Sequence, residues 1–481
     1  MIIAACRRFL APAPHVARLP ESEVRRQYPR YRWRIMEATF IGYAMFYLVR
    51  NNLSPVAKEV QAALNYDKDM IGTIMAATAL SYGLGKFLLG ALSDRSNPRV
   101  FMACGLLLTA ICNFAFGSVA NYWLHLSLWT LNGFVQGMGW PPCGRSMGHW
   151  FSEKERGLTF SIWNTSHNIG GGIAGYLAAW ATQHSSRWAN ELCVWASGRG
   201  WSTLADAATW LGAHVGGWHS AFFFPGILAA IGAVYLFWRL RDTPQSVGLP
   251  PIEEYRNDFT EAQRQHGLQE RELSYRELLI HHTLGNKYIW LLAFANFFAY
   301  VARYCMLDWG PTYFREVKDA NLLKGGMVVL VTEFGGIAST ILFGWFSDLL
   351  GGRRGMVSVL CMIPILAAFV VIWLTPAGYF WLDLTMLGVV GFFIYPVINL
   401  VVIQALDLTS KKAIGTAAGF IGLFGYLGRA AQAKGFGWLL DKLQAVYSVS
   451  ASWSIVIAVI LLCTLLGVIL LAFTWRLKPK A

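Results

Sequence analysis

Met36-Glu-Ala-Thr-Phe-Ile-Gly-Tyr-Ala-Met-Phe-Tyr-Leu-Val-Arg50-Asn-Asn-Leu53 is an apolar run that carries an arginine near its end. A second such run is Tyr288-Ile-Trp-Leu-Leu-Ala-Phe-Ala-Asn-Phe-Phe-Ala-Tyr-Val-Ala-Arg303-Tyr-Cys-Met-Leu-Asp-Trp309. Arg50 lies 16 residues beyond Arg34 (50 − 34), and Arg303 lies 16 beyond Lys287 (303 − 287). At about 1.5 Å of rise per residue, both guanidinium groups reach similar depth, in the middle or outer half of a bilayer. A charge there costs at least ~2.5–3.5 kcal/mol, so by default it faces a cavity and acts on something. Arginine is also the side chain that grips a phosphate through two parallel donors. Two arginines at one level, on two parts of the chain, point to a phosphate-gripping site inside a membrane.

Composition agrees with a membrane protein. Of 481 residues, 55% are hydrophobic and 14% charged; a soluble chain carries about 25% charge. The net charge of +13 lies mainly in the N-terminal tail and the short loops. It therefore reads as a positive-inside distribution and not as a nucleic-acid surface. The eight cysteines are scattered, most within apolar runs (Cys104, Cys112, Cys143, Cys305, Cys361, Cys463), with no CxxC pair or disulfide framework. Residues 1–34 carry eight arginines and no long apolar core, so they read as a cytoplasmic tail and not as a cleavable signal.

Twelve apolar runs are expected to cross the membrane: 35–54, 70–93, 99–118, 122–150, 157–182, 218–240, 287–311, 325–347, 355–374, 380–406, 413–440 and 451–475. This predicts an all-α integral membrane protein with an N-terminal six-helix half at 35–240 and a C-terminal half at 287–475. A polar, proline-containing cytoplasmic loop, 241–286, joins them, and 476–481 forms a cytoplasmic end. Twelve crossings place both termini on one side. The basic loops, including Arg95/Arg99, Arg239/Arg241, Arg353/Arg354 and Lys411/Lys412, make that side cytoplasmic. An outside loop at 183–217 holds Trp188, Trp195, Trp201 and Trp210.

The halves are pseudo-symmetric. Gly90-Ala-Leu-Ser-Asp94-Arg95-Ser-Asn-Pro-Arg99 is echoed by Gly344-Trp-Phe-Ser-Asp348-Leu-Leu-Gly-Gly-Arg353-Arg. The offsets are 254 for Asp94 to Asp348, 253 for Arg50 to Arg303 and 258 for Ser152 to Ser410. Three marks near one offset indicate a duplicated unit. The repeated loop resembles that of the major facilitator superfamily, and this resemblance implies the major facilitator fold. An Asp beside arginines at a helix end can lock neighbouring helices, or the loops can simply obey the positive-inside rule; their double occurrence favours the lock.

Within that superfamily the chain resembles the organophosphate:phosphate antiporters, closest to bacterial glycerol-3-phosphate and phosphoglycerate members. The resemblance rests on Gly42-Tyr-Ala-Met-Phe-Tyr-Leu-Val-Arg50-Asn-Asn, Gly137-Met-Gly-Trp-Pro-Pro-Cys-Gly-Arg145, Trp163-Asn-Thr-Ser-His167-Asn-Ile-Gly-Gly-Gly172, Leu307-Asp-Trp-Gly-Pro-Thr-Tyr and Gly415-Thr-Ala-Ala-Gly-Phe-Ile-Gly-Leu-Phe-Gly-Tyr-Leu-Gly428. It implies that Arg50 and Arg303 bind the phosphate group and that His167 tunes the site's charge or hydrogen-bonds the phosphate. Lys86 matches a family lysine that adds to the positive well or snorkels to the interface. Tyr43, Tyr47 and Tyr300 share faces with the arginines and match pore tyrosines. Asn164, Tyr426, Glu333 and Asp308 match pore or salt-bridge positions. Asp308, off the Arg303 face, is expected to close the outer side. Asp94, Arg95, Arg99, Asp348 and Arg353 are the expected gating groups.

Departures from the family bear on substrate choice. Asn51 stands where the family usually has lysine, and Arg429 and Lys434 add cations. The expectation is import of an organophosphate, first of all glycerol-3-phosphate, in exchange for inorganic phosphate by alternating access. The alternatives are a phosphoglycerate or hexose-6-phosphate carrier, or a transporter-like sugar-phosphate sensor. The resemblance places the chain in the lipid bilayer of a bacterial inner membrane, acting as a monomer. No metal, cofactor, nucleic-acid partner or catalytic constellation is expected.

Overall fold

The computed structural model describes residues 9–257, 284–408 and 414–477. Ser410, Lys411 and Lys412, most of the central loop and the last residues of the chain lie outside the described residues. Among the described residues every regular element is a helix. They are α1 Glu21–Leu48, α2 Lys68–Ser93, α3 Pro98–Ser118, α4 Tyr122–Gln136, α5 Trp140–Trp150, α6 Glu153–Asn164, α7 Ser166–Ser197, α8 Ser202–His214 and α9 Ser220–Arg239. After the central loop come α10 Lys287–Tyr304, α11 Gly310–Val317, α12 Leu322–Leu349, α13 Arg354–Leu374, α14 Phe380–Asp407, α15 Ile414–Gln444 and α16 Val449–Ala472. Short helical pieces lie between some of these.

Local chemistry starts these helices. Asp67, Asn97, Asn121, Asn286, Asn321 and Ser448 each accept a hydrogen bond from the first turn of the following helix. That satisfies donors a helix start leaves unpaired. Among the described residues eight segments are long and apolar enough to cross a membrane: 68–93, 98–118, 217–239, 287–317, 322–349, 354–374, 380–405 and 449–472. The other four expected crossings fall on α1, on α4 with α5, on α6 with α7, and on α15. Turns at Gly137–Gly139 and Thr165 break two of these, while Glu37, Arg429 and Lys434 put charge into the others.

Three expectations change. The segment 21–34 is helical and continuous with the first crossing, so the tail ends at Pro20. The expected outside loop 183–217 is a helical hairpin: α7 runs on to Ser197 and α8 folds back against it. Trp180 packs on Trp188 (5.1 Å) and Trp195 on Trp201 (5.3 Å), which gives this polar-looking segment apolar contacts of its own. Finally, α1 stops at Leu48, so Arg50 sits in the turn just past a helix C-terminus, where a cation is favoured.

Glycines bring the halves together. A side chain at Gly72 would collide with the Ala433 carbonyl, and one at Gly175 would meet Val329 at 2.6 Å. These gaps let α2 lie along α15 and α7 along α12. The result is two helix groups meeting along a central seam. One end carries the N-terminal segment and the α16 C-terminus; we call it the terminal end, and its opposite the far end.

Candidate anion site and gate

Around the seam, aromatic and cationic side chains form a closed circuit contributed by both halves. The Arg50 guanidinium lies 4.2 Å from the rings of Tyr47 and of Tyr82. Tyr82 meets Tyr426 of the other half (5.0 Å), and Tyr426 meets Tyr300 (5.6 Å), which packs on Tyr304 (5.5 Å). Arg303 lies over Tyr304 at 4.9 Å and over Tyr395 at 4.3 Å. His167 closes the circuit, 5.7 Å from Tyr395 and 5.6 Å from Tyr47. The helices that supply it, in order round the seam, are α1, α2, α15, α10, α14 and α7.

Each arginine is buried and only partly engaged. Arg50, 5% exposed, donates Nε and Nη2 to Gln136 Oε1 at 3.0 and 2.9 Å. Gln136 is itself held by donating to the Phe46 carbonyl at 3.0 Å. Arg303, 6% exposed, donates Nη2 to the Tyr395 hydroxyl at 3.1 Å, while its buried Nε has no partner. The Tyr395 hydroxyl in turn donates to Glu333, which also accepts from Asn168 of the other half at 3.2 Å. Neither arginine makes an ion pair among the described residues, so each keeps donors for an oxyanion. His167 Nδ1 bonds the Asn164 carbonyl across the α6–α7 break, which fixes the ring. Tyr43 stacks on Trp163 at 5.0 Å and meets Tyr47 at 5.5 Å, one shell out from Arg50.

The halves are fastened at the far end. Arg315 forks onto Glu59 (2.8 and 2.6 Å), and Lys68 pairs with Glu316 (3.1 Å). The Asp441 carboxylate accepts from the backbone N–H groups of Lys68 and Asp69 at the start of α2, at 3.2 and 2.6 Å. Nearer the centre Ser54 donates to the Leu307 carbonyl at 2.8 Å. At the terminal end the picture differs: Lys86, Asp94, Trp140 and Arg145 line an open recess of about 480 Å³. The far end is thus fastened across the halves, whereas the recess at the terminal end is lined by the first half alone.

Several expected residues lie elsewhere. Lys434 pairs with Asp69 at 2.5 Å in the far-end closure, so it does not reach the ring. Arg429 does approach it, 4.1 Å over Tyr304, but is neutralised by Asp308 through Nε at 3.2 Å and Nη2 at 2.8 Å. Both members of that pair belong to the second half, so Asp308 does not tie the two halves together as expected of an outer gate. A π-helical turn over Cys305–Trp309 carries Asp308 towards α15. Lys86 lies 4.7 Å over Trp140 in the terminal-end recess, one helical turn from Tyr82 of the ring on α2. Asn51 lines a small closed void with Arg50, Asp308 and Arg429, and no lysine replaces it there.

The loop locks are also built differently. Arg99 donates to the Phe237 carbonyl at the end of α9 and does not engage Asp94, which lines the recess; Arg95 is exposed. In the second half Arg354, in place of the expected Arg353, pairs with Asp348 (2.5 Å) and Asp407 (3.4 Å). Arg353 only precedes the helix start. Tyr82, Tyr304, Tyr395 and Gln136 are not among the expected site residues, yet all four belong to the circuit or hold it. Tyr304 directly follows Arg303, but an adjacent residue points about 100° away on a helix, so spacing argued against it.

Comparison with known proteins agrees with this architecture. Residues 39–433 match the Major Facilitator Superfamily. The chain is 40% identical to the glycerol-3-phosphate transporter of Bacillus subtilis (strain 168), covering 98% of both. It is 36% identical to a probable hexose phosphate transport protein of Chlamydia trachomatis, again over 98% of both. Among solved structures it resembles a bacterial homologue of the human lysosomal transporter Spinster in an inward-facing, unoccupied conformation (TM-score 0.69, 14% identity, 92% of this chain and 96% of that one).

Proposed function

This chain belongs to the Major Facilitator Superfamily and is a multi-pass membrane transporter, not an enzyme; we propose that it carries an organophosphate, first of all glycerol-3-phosphate, inward in exchange for inorganic phosphate. The observation that carries this is the pair of buried arginines, Arg50 and Arg303, facing one seam from opposite halves without an ion-pair partner among the described residues. A phosphate is the group common to both exchanged solutes, and it matches two guanidinium forks. His167, between Tyr47 and Tyr395, is placed to orient it. Tyr82, Tyr300 and Tyr426 supply hydroxyls and ring faces for the organic part. Asn164 holds His167, and Glu333 holds Arg303 through Tyr395.

Exchange has a physical cause in this reading. An empty site leaves two like charges facing each other in a low-dielectric seam, which hinders reorientation until an anion bridges them. A bound phosphate draws the halves together and favours the occluded state. With the terminal end cytoplasmic, the Arg315–Glu59 and Lys68–Glu316 pairs form the outer gate.

Proteoliposomes loaded with labelled phosphate test it. Efflux on adding glycerol-3-phosphate outside, absent without any ester, is expected. Efflux only with 3-phosphoglycerate or glucose-6-phosphate reassigns the substrate. Binding of an ester without any exchange replaces the carrier with a sensor.

A further inference from the structure

At the terminal end, α1 projects beyond its crossing and displays Arg26, Arg30 and Arg34 at successive intervals of four, along one helix face. With Gln27, Tyr31, Trp33 and Arg239 they line a recess of about 410 Å³. Two carboxylates face this cluster. Glu23 pairs with Arg26 at 2.8 Å, and Glu37 pairs with Arg239 at 2.7 Å. Arg34 donates to the Trp238 and Arg239 carbonyls at 2.8 and 2.6 Å, which holds its guanidinium in place but leaves its charge uncompensated. Arg30 has no ion pair among the described residues. Four cations against two carboxylates thus converge on one concavity.

We propose that this recess binds the headgroup of an anionic phospholipid in the leaflet at the terminal end. The aromatic surroundings decide for a lipid over a free phosphate. Trp33 is 70% exposed and Trp238 65% exposed, and Arg34 lies 5.8 Å from the Trp238 ring, so two uncovered indoles stand beside the cations. Indoles in that position match the membrane–water boundary, where acyl glycerol covers them and the phosphate meets the arginines. A zwitterionic headgroup would bring an ammonium group into a positive recess.

The test uses the full chain in nanodiscs holding equal phosphatidylglycerol and phosphatidylcholine, with bound lipids counted by native mass spectrometry after release. Among the described residues Arg26 and Arg30 make no bond beyond the Arg26–Glu23 pair, so the double variant Arg26→Gln/Arg30→Gln is expected to fold as the wild type does. Preferential retention of phosphatidylglycerol is expected, weakened roughly thirtyfold in the double variant. It should be unaffected by Arg187→Gln at the far end and by millimolar inorganic phosphate. Equal retention of both lipids, no change in the double variant, or an equal loss in Arg187→Gln overturns the proposal. Displacement by inorganic phosphate overturns it in favour of a soluble-anion site.

Discussion

The Tyr395 hydroxyl donates to the Glu333 carboxylate while accepting a hydrogen bond from Arg303 at 3.1 Å. Arg303 is thus tied to a buried carboxylate through one neutral oxygen and not by direct contact. A direct ion pair would compete with any incoming phosphate for the same donors. The relay positions the guanidinium and leaves its Nε unpartnered. Tyr395→Phe keeps the ring over Arg303 and removes the relay. Exchange should fall roughly tenfold or more, as expected for the loss of a hydrogen bond to a charged group, with membrane insertion unchanged. Wild-type exchange in this variant would remove Tyr395 from the mechanism.

Arg50→Lys tests the fork. Lysine keeps the charge but cannot hold Gln136 through two nitrogens and still present further donors in a plane. Exchange measured in proteoliposomes should drop roughly 10- to 150-fold, and Arg303→Lys should behave alike. Activity near wild type in either variant would show that charge alone suffices.

The Asp308–Arg429 pair is buried within one half, with side chains 5% and 9% exposed. Asp308→Ala strands the Arg429 charge and should cost about 3–5 kcal/mol of stability. The double change Asp308→Leu/Arg429→Met removes both charges and should recover most of that loss. Thermal unfolding in detergent reads the difference. A double variant as unstable as the single one would contradict this account.

Glu59→Gln should loosen the far-end closure. Its pair with Arg315 is partly exposed, so the shift is modest, up to about 1 kcal/mol or several-fold in population. The Thr73 hydroxyl itself accepts from Lys434 at 2.8 Å, so labelling of Thr73→Cys is the reference, and adding Glu59→Gln should speed it up several-fold. Unchanged labelling would mean that the other far-end contacts suffice to hold the gate.

Glu155, at the terminal end outside the crossings, gives a pH signature. Burial opposes its ionisation, but the hydrogen bonds from Arg32 and from the Ser152 backbone N–H, with the charges of Arg32 and Arg256, outweigh this and hold the carboxyl below its ordinary value of 4.5. A depressed carboxyl pKa stabilises the fold fully above the unfolded value and loses that contribution as pH falls through the folded one. Glu155→Gln should therefore be less stable than wild type at pH 7, and the gap should close as pH drops below about 4.5. A gap independent of pH would assign the loss to packing.

What the sequence by itself determined is periodicity, depth and repetition. Twelve apolar runs, arginines 16 residues past their flanking cations and a loop recurring near one offset follow from local hydropathy and counting. Hence the all-α membrane fold and the two arginines were legible before any coordinates. Helical spacing from the arginines pointed to Tyr47 and Tyr300, and the family resemblance to His167 and Tyr426; the folded chain brings all four into one circuit. Helix rotation and partner choice were not legible. Tyr395 sits in an apolar run whose facing depends on how α14 packs, and Tyr304 needs the contact with both Arg303 and Arg429 to be seen. Arg429 and Lys434 looked alike as extra cations in one helix. Only tertiary packing, with the π-helical turn at Asp308 on one side and the start of α2 on the other, decided that one is neutralised beside the ring and the other fastens the halves. The same holds for residues 183–217, where α8 folds back on α7 and Trp195 meets Trp201 at the turn. Hydropathy is a property of single residues along a chain. The charge balance of a buried site depends on pairs that are distant in sequence, and only the folded structure chooses those pairs.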